Sequence, residues 1–166
     1  MDLISIIIPY FKKKKYIKST LVSILNQSYK KFEILIIYDD PSNEDLEYLK
    51  NLIKIDTRIK LIENHKNIGA GLSRNKGLKF SRGNYICFID ADDIWKKNKL
   101  KIQLDFMKKN NYLVSHTSYI IFNKKNETTQ IRKAKNFFYF KDLVTSCDIG
   151  LSTVMIKKSI INKSIK

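Results

Sequence analysis

Two aspartates, one residue apart, follow a short apolar segment in the middle of the chain and could bind a metal ion. Asp90 and Asp92 come directly after residues 84–89 (NYICFI), a run typical of a β-strand buried on both faces. In an extended chain, residues i and i+2 point to the same side, roughly 6.6 Å apart at ~3.3 Å per residue. Carboxylates placed in this way repel each other unless a cation lies near them, and their oxygens suit Mg²⁺ or Mn²⁺. The Asp-x-Asp (DXD) pattern therefore predicts a divalent-metal site, although the pattern by itself is common.

Such a metal ion would have a specific use next to a phosphate-containing ligand. The two carboxylates alone would repel a diphosphate, whereas the same carboxylates with a bound dication would attract it. The ion would also stabilise the negative charge that develops on a departing diphosphate, which is Lewis-acid catalysis. The pattern thus favours chemistry in which a diphosphate is the leaving group.

Polar residues also follow two other apolar segments. Pro9-Tyr10-Phe11 ends the first segment of the chain, and Asp39-Asp40 closes the second. In an open α/β sheet, ligands bind in the crevice beyond the carboxyl ends of the strands. We therefore expect both groups to face one crevice together with the Asp-x-Asp pair. For Asp39 and Asp40, the chemistry of a turn or a helix N-cap is an equally good explanation.

Short apolar runs rich in isoleucine predict the strands that position these residues. They are residues 3–9 (LISIIIP), 32–38 (FEILIIY), 59–62 (IKLI) and 84–89 (NYICFI). Pro9 has no N–H to donate to a neighbouring strand, so we expect it to end the first strand. Residues 112–122 and 151–156 predict two further strands.

Apolar residues at helical spacing separate the strands. The predicted helices lie around residues 17–25, 46–53, 71–80 and 100–107, and residues 42–45 (SNED) offer a capping box for the second. Because strand and helix alternate four times, we predict one α/β domain over residues 1–166. Its doubly wound, mostly parallel, right-handed sheet would be flanked by helices.

The net charge of the chain is strongly positive, but it does not predict a specific partner. The 166 residues contain 32 Lys and Arg against 16 Asp and Glu, which gives a net charge of +16. Since 28 of these basic residues are Lys, and a nucleic-acid reader more often uses Arg, we expect no specific nucleic-acid partner. A basic nucleic-acid-binding module remains a distant alternative. The Lys side chains, including the run at residues 12–15, predict a solvated surface with weak attraction for anionic lipid.

Several other classes of protein are disfavoured by missing patterns. No run approaches the ~20 apolar residues of a membrane-spanning helix, and the first residues show no secretory signal. Cys87 and Cys147 are too few for a disulfide scaffold, and no Cys/His spacing predicts a zinc site. The phosphate-binding P-loop pattern is absent, and Arg74 occupies a position where a dinucleotide fingerprint needs glycine. A reduced, cytosolic protein is the expectation.

With these motifs in view, the sequence resembles the family 2 glycosyltransferases of the GT-A fold. The resemblance covers almost the whole chain, in the expected order. The matching stretches are residues 5–11 (SIIIPYF), 23–42 (SILNQSYKKFEILIIYDDPS), 67–95 (NIGAGLSRNKGLKFSRGNYICFIDADDIW) and 145–159 (TSCDIGLSTVMIKKS). The resemblance implies a Rossmann-like nucleotide-diphospho-sugar transferase fold. It also implies transfer of a sugar from a nucleotide-diphosphate donor to an acceptor hydroxyl, usually with inversion and with Mn²⁺ or Mg²⁺.

The resemblance assigns a nucleotide-binding role to the loops after the first two strands. The backbone near Pro9, together with Tyr10 and the ring of Phe11, is similar to the family's cradle for the nucleotide base. Asp39 takes the base-recognising position in an ungapped alignment, as an acceptor for the uracil imide N–H. Asp40 takes that role if the register slips by one residue. A UDP-sugar is therefore the expected donor.

The resemblance assigns the donor's ribose and diphosphate to the second half of the matching region. Arg74 is similar to the family arginine that reaches the nucleotide or its diphosphate, with a solvated helix face as the alternative. Asp90, followed by Ala91, resembles the residue that binds the donor ribose or diphosphate. Asp92 resembles the main metal ligand, with Asp90 beside it. Asp93 would support these ligands or cap the next helix.

Two positions depart from the family pattern. Lys12 stands where the family often has Asn, and could supply an extra donor for phosphate. The family's general base lies in an acidic pair on a helix that would follow Lys166, and no later acid (Glu127, Asp142, Asp148) matches it. We therefore expect a donor-binding portion that is truncated before the acceptor and base region, and we name no catalytic base. An inactive nucleotide-sugar-binding relic is the alternative.

The resemblance also implies partners and a location. Bacterial members commonly build surface polysaccharides on lipid carriers, so the expected acceptor is a glycan or a lipid-linked glycan. A basic protein of this kind could associate peripherally with the inner face of the cell membrane.

Overall fold

The computed structural model describes residues 2–123, 127–137, 139–145 and 149–163. Its strands are β1 (Ile4–Tyr10), β2 (Phe32–Tyr38), β3 (Ile59–Glu63), β4 (Tyr85–Phe88), β5 (Val114–Ser115), β6 (Tyr119–Asn123), β7 (Thr128–Arg132) and β8 (Met155–Lys157). Its α-helices are α1 (Lys14–Leu25), α2 (Leu46–Leu52), α3 (Gly69–Phe80), α4 (Lys99–Lys109) and α5 (Phe140–Thr145). Short 3₁₀ helices lie at Ile53–Ile55, Leu151–Thr153 and Lys158–Lys163.

The described residues form a central six-stranded sheet in the order β3-β2-β1-β4-β8-β5. The pairs β3–β2, β2–β1 and β1–β4 are parallel, whereas β8 runs antiparallel to both β4 and β5. Every residue of β1, β2 and β4 is buried. Apolar runs of this kind form strands that are buried on both faces, because helices pack on each face of a parallel sheet. The predicted α/β fold with a mostly parallel sheet is confirmed.

Helices cover both faces of this sheet. One core cluster joins Ile4, Ile6 and Ile8 to buried residues of α1, α2 and α4, and a second cluster packs α3 against Ile7. At Gly77 of α3, an added Cβ would lie 2.5 Å from Ile7 Cγ2, so glycine permits the close approach of this helix. The described helices are at most 12 residues long, and none is long and apolar enough to cross a membrane.

The expectation that Pro9 ends the first strand is wrong, because β1 continues to Tyr10. Even-numbered residues of β1 bond to the β2 side, as the contact from Asp39 N to Tyr10 O (2.8 Å) shows. Odd-numbered residues bond to the β4 side, as Ile89 N to Ile7 O (3.1 Å) shows. Pro9 therefore faces the β4 side at a point where β4 has already ended. Its missing N–H breaks no strand-to-strand bond.

The predicted strands near the end of the chain are also corrected. Residues 112–122 contain two strands in different sheets, with β5 at the edge of the main sheet and β6 paired, among the described residues, with β7. Residues 151–156 begin as a 3₁₀ turn, and only the final part joins β8. A run of apolar residues does not reveal where a chain leaves one sheet for another. Cys147 and Asp148 lie outside the described residues, whereas Cys87 is a buried free thiol.

The predicted capping box at residues 42–45 does not form, although the helix it was expected to begin is present. Asp45 is the N-cap residue of α2 and makes no side-chain capping bond. Its carboxylate accepts a hydrogen bond from the Tyr10 hydroxyl at 2.6 Å instead. The Ser42 hydroxyl donates to Asp40 Oδ1 at 2.8 Å. A tertiary partner thus takes the Asp45 side chain, and a local turn takes that of Ser42.

Candidate functional site

A cavity of about 380 Å³ lies beyond the carboxyl ends of β1, β2 and β4. This is the edge at which open α/β sheets bind their ligands. Three loops and the start of α3 form its wall. The residues lining it are Pro9, Tyr10, Phe11, Lys13, Asp39, Ala70, Arg74, Asp90, Ala91 and Asp92. Every site residue predicted from the sequence lines this cavity, with the exception of Asp40.

The loop after β1 contributes one exposed aromatic ring to the cavity. Phe11 is 46% exposed, so part of its side chain is accessible to a planar ligand. The ring of Tyr10 is fully buried, stacks on Tyr38 with centroids 5.6 Å apart and donates its hydroxyl to Asp45. Burial, followed by this hydrogen bond, raises the pKa of Tyr10 well above its usual value. Tyr10 therefore anchors the loop, and Phe11 is the ring that a ligand could contact.

Lys12 lies in the turn between β1 and α1. It has a positive φ of 49°, which turns the chain sharply between β1 and α1. Its ammonium lies over the Phe11 ring, 5.6 Å from the centroid. Lys12 is not among the described residues that line the cavity, whereas the next residue, Lys13, is.

Asp39 lies at the end of β2 and holds the beginning of α3. Its Oδ1 accepts hydrogen bonds from Ile68 N (2.9 Å) and Asn64 Nδ2 (2.8 Å), and its Oδ2 accepts one from Gly69 N (2.8 Å). The negative carboxylate at a helix N-terminus is favoured by the helix dipole and by its unpaired N–H groups. Gly69 has φ of 82°, a conformation that suits glycine. Asp39 is thus a capping residue that also lines the cavity.

Asp40 lies in a local turn, as the alternative explanation anticipated. Its Oδ1 accepts bonds from the backbone N–H and the hydroxyl of Ser42, at 3.0 and 2.8 Å. The side chain is buried, and it is absent from the described residues lining the cavity. Of the two neighbouring aspartates, the geometry brings Asp39 to the site.

Asp90 and Asp92 reach the same cavity through a turn. The expected extended backbone is wrong at this point, because Asp93 N donates to Asp90 O at 3.0 Å and closes a turn over the intervening residues. Both carboxylates nevertheless line the cavity. The buried Ala91 fixes the turn from behind, since its carbonyl accepts a hydrogen bond from the Thr20 hydroxyl at 2.9 Å.

Two ion pairs neutralise these carboxylates. Arg74, which α3 brings to the cavity, donates from its terminal nitrogen to Asp90 Oδ1 at 2.5 Å. Lys13 donates to Asp92 Oδ2 at 2.7 Å. The Asp92 hydrogen bond is the main reason why the pKa of Lys13 lies above its usual value. Arg74 Nε is buried and has no hydrogen-bond partner among the described residues. The site thus contains fixed positive and negative charges side by side.

Ser152 supports the acidic turn and was missed by the sequence analysis as an individual residue. Its hydroxyl accepts a hydrogen bond from Asp90 N (3.0 Å) and donates one to Asp93 Oδ2 (2.5 Å). Its carbonyl accepts from Trp95 Nε1 at 2.8 Å. The only signal in the sequence was its place within the stretch 145–159.

Asp93 belongs to this support and does not cap α4, whose N-cap is Asn98. Burial raises the pKa of Asp93 above its usual value, and the nearby charges of Asp90 and Asp92 add to this shift. The hydrogen bond from the Ser152 hydroxyl acts in the opposite direction. Asp93 is thus connected through Ser152 to the backbone of the acidic turn.

The carboxylate oxygens at this turn fit a metal ion that is also bound by the oxygens of a ligand. In the part of the chain that the structure describes, no three His, Cys, Asp or Glu side chains form a cluster that could hold a metal ion alone. Asp90 and Asp92 offer hard oxygens at the cavity, and both already attract cationic groups. A hard dication bound at this turn would need further oxygen ligands from phosphate and water, which is usual for Mg²⁺.

Taken together, the cavity suits an anionic ligand with a planar ring. Phe11 offers an exposed aromatic face, and Asp39 offers a carboxylate acceptor on another wall. Arg74 and Lys13 offer positive charge next to the two carboxylates that could hold a dication. A nucleoside diphosphate contains a planar base and a diphosphate, which match these two halves.

The chain is similar in sequence to known glycosyltransferases. The chain is 39% identical over 156 residues to an uncharacterized glycosyltransferase of Rickettsia felis, covering 92% of this chain and 25% of the relative. It is 36% identical over 160 residues to the Escherichia coli UDP-Glc:alpha-D-GlcNAc-diphosphoundecaprenol beta-1,3-glucosyltransferase WfgD, covering 96% of this chain and 62% of that relative. The chain thus spans 25% and 62% of the length of these two relatives, less than two-thirds of either.

A solved structure shares the fold. The mannosyltransferase PcManGT from Pyrobaculum calidifontis, in complex with GDP-Man and Mn²⁺, superposes with a TM-score of 0.73 at 13% identity. The match covers 99% of this chain and 47% of that protein. The family model described as glycosyl transferase family 2 matches residues 5–165. The chain therefore belongs to glycosyl transferase family 2.

Proposed function

We propose that this chain binds a nucleoside-diphosphate sugar and transfers the sugar to an acceptor hydroxyl, as one catalytic domain. The observation that carries the proposal is the convergence of Phe11, Asp39, Arg74, Asp90 and Asp92 on one cavity. These residues come from separate parts of the sequence, and each supplies a group that such a donor needs. Family membership over residues 5–165 supports the same reaction class.

The base of the donor binds between the loops after β1 and β2. Phe11 stacks on the planar ring, and Asp39 accepts a hydrogen bond from the base. Among the described residues, Asp39 Oδ2 accepts one hydrogen bond, from Gly69 N, so the carboxylate keeps lone pairs for a further donor. A uracil imide N–H is such a donor, which favours a UDP-sugar. WfgD, by its name, uses UDP-Glc, whereas PcManGT binds GDP-Man.

The diphosphate binds beside the acidic turn. Arg74 binds its oxygens, and Asp90 binds the ribose or the diphosphate. Asp92, with Asp90, holds Mn²⁺ or Mg²⁺. When bound, the ion neutralises charge that develops on the departing diphosphate. The Mn²⁺ in PcManGT and the two carboxylates at this cavity support the proposal.

Transfer with inversion would also need a base that takes the proton of the acceptor hydroxyl. Among the described residues, the carboxylates lining the cavity are those of Asp39, Asp90 and Asp92. Asp39 caps α3, and the other two are paired with Arg74 and Lys13. This engagement favours a second candidate function, in which the 166 residues bind the donor without transferring its sugar.

The acceptor is proposed to be a glycan, free or linked to a lipid, in bacterial surface polysaccharide synthesis. WfgD is named for an acceptor on diphosphoundecaprenol, which is a lipid carrier. The net charge of +16 would attract the chain to anionic lipid at the inner face of the cell membrane, by about 1 kcal/mol per surface Lys. A peripheral location there would bring donor and acceptor together.

Calorimetric titration with UDP, GDP and dTDP, each with and without Mn²⁺, tests donor binding. We expect UDP to bind with Mn²⁺, and Asp92→Ala to weaken this binding at least about tenfold, since it removes the main metal ligand. Asp105→Ala is the matched control, because Asp105 is exposed on α4 and does not line the cavity. Absence of metal-dependent binding by the unaltered chain would contradict the proposal.

A second assay separates transfer from donor binding alone. Release of sugar from UDP-glucose or UDP-GlcNAc, with Mn²⁺ and simple sugars or water as acceptors, would support a complete enzyme. Tight UDP binding without any turnover would support the second candidate function.

A further inference from the structure

Lys13 is a cavity residue to which neither the family resemblance nor the sequence pattern assigns a role. Its ammonium lies 2.7 Å from Asp92 Oδ2, and its side chain lines the cavity together with Arg74 and Asp90. Asp92 is the residue that the proposed function gives to the metal ion. A positive side chain thus already occupies an oxygen that a dication would use.

The backbone of Lys13 is fixed, whereas its side chain can move. The Lys13 carbonyl accepts hydrogen bonds from Tyr16 N (2.9 Å) and Ile17 N (3.1 Å) at the start of α1. The side chain is 42% exposed, and that of Asp92 is 38% exposed. Ion pairs at this exposure contribute only about 0.2–1 kcal/mol, so a dication can displace the ammonium at little cost.

Displacement would leave the ammonium next to the metal-bound ligand. A dication on Asp92 repels Lys13, and the long side chain is then free to bind another anionic group. Asp90 is already paired with Arg74, at 2.5 Å. The diphosphate in the cavity offers several charged oxygens, and ammonium–phosphate contacts are among the strong charge-assisted hydrogen bonds.

We infer that Lys13 is a diphosphate-binding residue that forms an ion pair with Asp92 until the metal ion and the nucleotide-sugar donor bind. In the free protein, Lys13 occupies Asp92 and competes with the metal ion. In the loaded protein, the dication occupies Asp92 and Lys13 binds the diphosphate. Only ion pairs are exchanged, and no covalent bond changes. This inference rests on the proposed function and adds a specific residue to it.

The inference predicts opposite effects of one substitution on two ligands. Lys13→Met removes the charge and keeps the aliphatic stem. Mn²⁺ alone should bind about two- to fivefold more tightly, because its competitor is gone. UDP with saturating Mn²⁺ should bind about tenfold more weakly, because one charge-assisted contact is lost. Both affinities are measured by calorimetric titration.

Lys15→Met is the matched control, because Lys15 carries the same charge in the same lysine run and lies outside the cavity. It reports the effect of one lost positive charge without the Asp92 contact. Lys13→Arg is a second variant, which keeps the charge and should stay within about threefold of the unaltered chain for UDP.

The outcomes distinguish this inference from the function on which it rests. If the unaltered chain binds UDP with Mn²⁺ and Lys13→Met behaves like Lys15→Met, the inference is wrong and the proposed function stands. If Lys13→Met weakens Mn²⁺ and UDP together, Lys13 only holds the loop in shape and the inference is again wrong. If the unaltered chain binds no UDP, both fail.

Discussion

Asp39 at the end of β2 holds Gly69 at the start of α3, with Asp39 Oδ2 at 2.8 Å from Gly69 N. This contact joins the second strand to the helix that carries Arg74 into the cavity. The same carboxylate lines the cavity. One side chain therefore stabilises the fold and is available to a ligand, so its loss should affect both.

The first prediction concerns Asp39→Asn, which keeps the shape and removes the charge. The variant should lower the free energy of unfolding by about 1–3 kcal/mol, because the α3 amides lose a charged acceptor. Urea denaturation measures this change. Asp105→Asn, on the exposed surface of α4, should stay within about 0.5 kcal/mol of the unaltered chain.

Binding of UDP by the same variant tests the second role of Asp39. If the carboxylate accepts a bond from the base, UDP affinity should fall even at temperatures where Asp39→Asn is fully folded. A folded Asp39→Asn that binds UDP normally would leave Asp39 with its capping role alone.

The second prediction compares two glycines in α3. Gly77→Ala should destabilise the protein by about 1–3 kcal/mol, because the new Cβ would lie 2.5 Å from Ile7 Cγ2 in a fully packed core. Gly71→Ala meets no atom within 4 Å and should stabilise the protein by about 0.5–1 kcal/mol through helix propensity. Thermal or urea unfolding of both variants gives the comparison. Equal effects at the two positions would show that α3 does not pack on β1 as described.

The third prediction concerns the buried Glu33, which ties β2 to β1 and to the segment before β4. Its Oε1 accepts bonds from the Ser5 hydroxyl and Arg82 N, both at 2.7 Å, and its Oε2 accepts one from Arg82 Nε at 2.9 Å. Burial acts to raise the pKa of Glu33, but the hydrogen bonds from Ser5 and Arg82 outweigh it, so the pKa lies below its ordinary value of 4.5. Glu33→Gln should therefore cost about 1–3 kcal/mol at neutral pH.

The sign of the pH dependence follows from this lowered pKa. The unfolded chain protonates Glu33 at a higher pH than the folded chain does, so acidification favours unfolding. The stabilisation from Glu33 is complete above pH 4.5 and is lost as the pH falls through the folded-state pKa. The stability difference between the unaltered chain and Glu33→Gln should accordingly shrink over that range. A difference that stays constant as the pH falls would contradict this account.

The fourth prediction concerns Arg74, which pairs with Asp90 at 2.5 Å. Arg74→Met should weaken UDP binding at least about tenfold, since one charge-assisted contact to the diphosphate is lost. Arg74→Lys should recover only part of the affinity, because an ammonium lacks the planar fork of a guanidinium. Arg132→Met, in the exposed strand β7, is the control and should bind UDP normally. Normal binding by Arg74→Met would place Arg74 in a purely structural ion pair.

The sequence by itself determined the central architecture and the general place of the site. Isoleucine-rich runs such as that of β1 are typical of buried strands, and helical spacing of apolar residues separates them. Because parallel strands end at one edge of a sheet, Asp39, Asp90 and Asp92 could be assigned to a common crevice before the structure was known. A local pattern of this kind is the same in every fold that buries these apolar residues.

Only the tertiary structure decided which polar residues face the cavity and what each one contacts. Asp39 and Asp40 are adjacent in sequence, yet one caps α3 across 30 residues and the other closes a local turn. In the sequence, Lys13 is one of four consecutive lysines expected to be solvated. The structure shows that the turn after β4 lies beside it, where Lys13 pairs with Asp92. Such pairings depend on long-range contacts, whose energies involve positions that are far apart along the chain. No local pattern of charge or hydropathy contains that information.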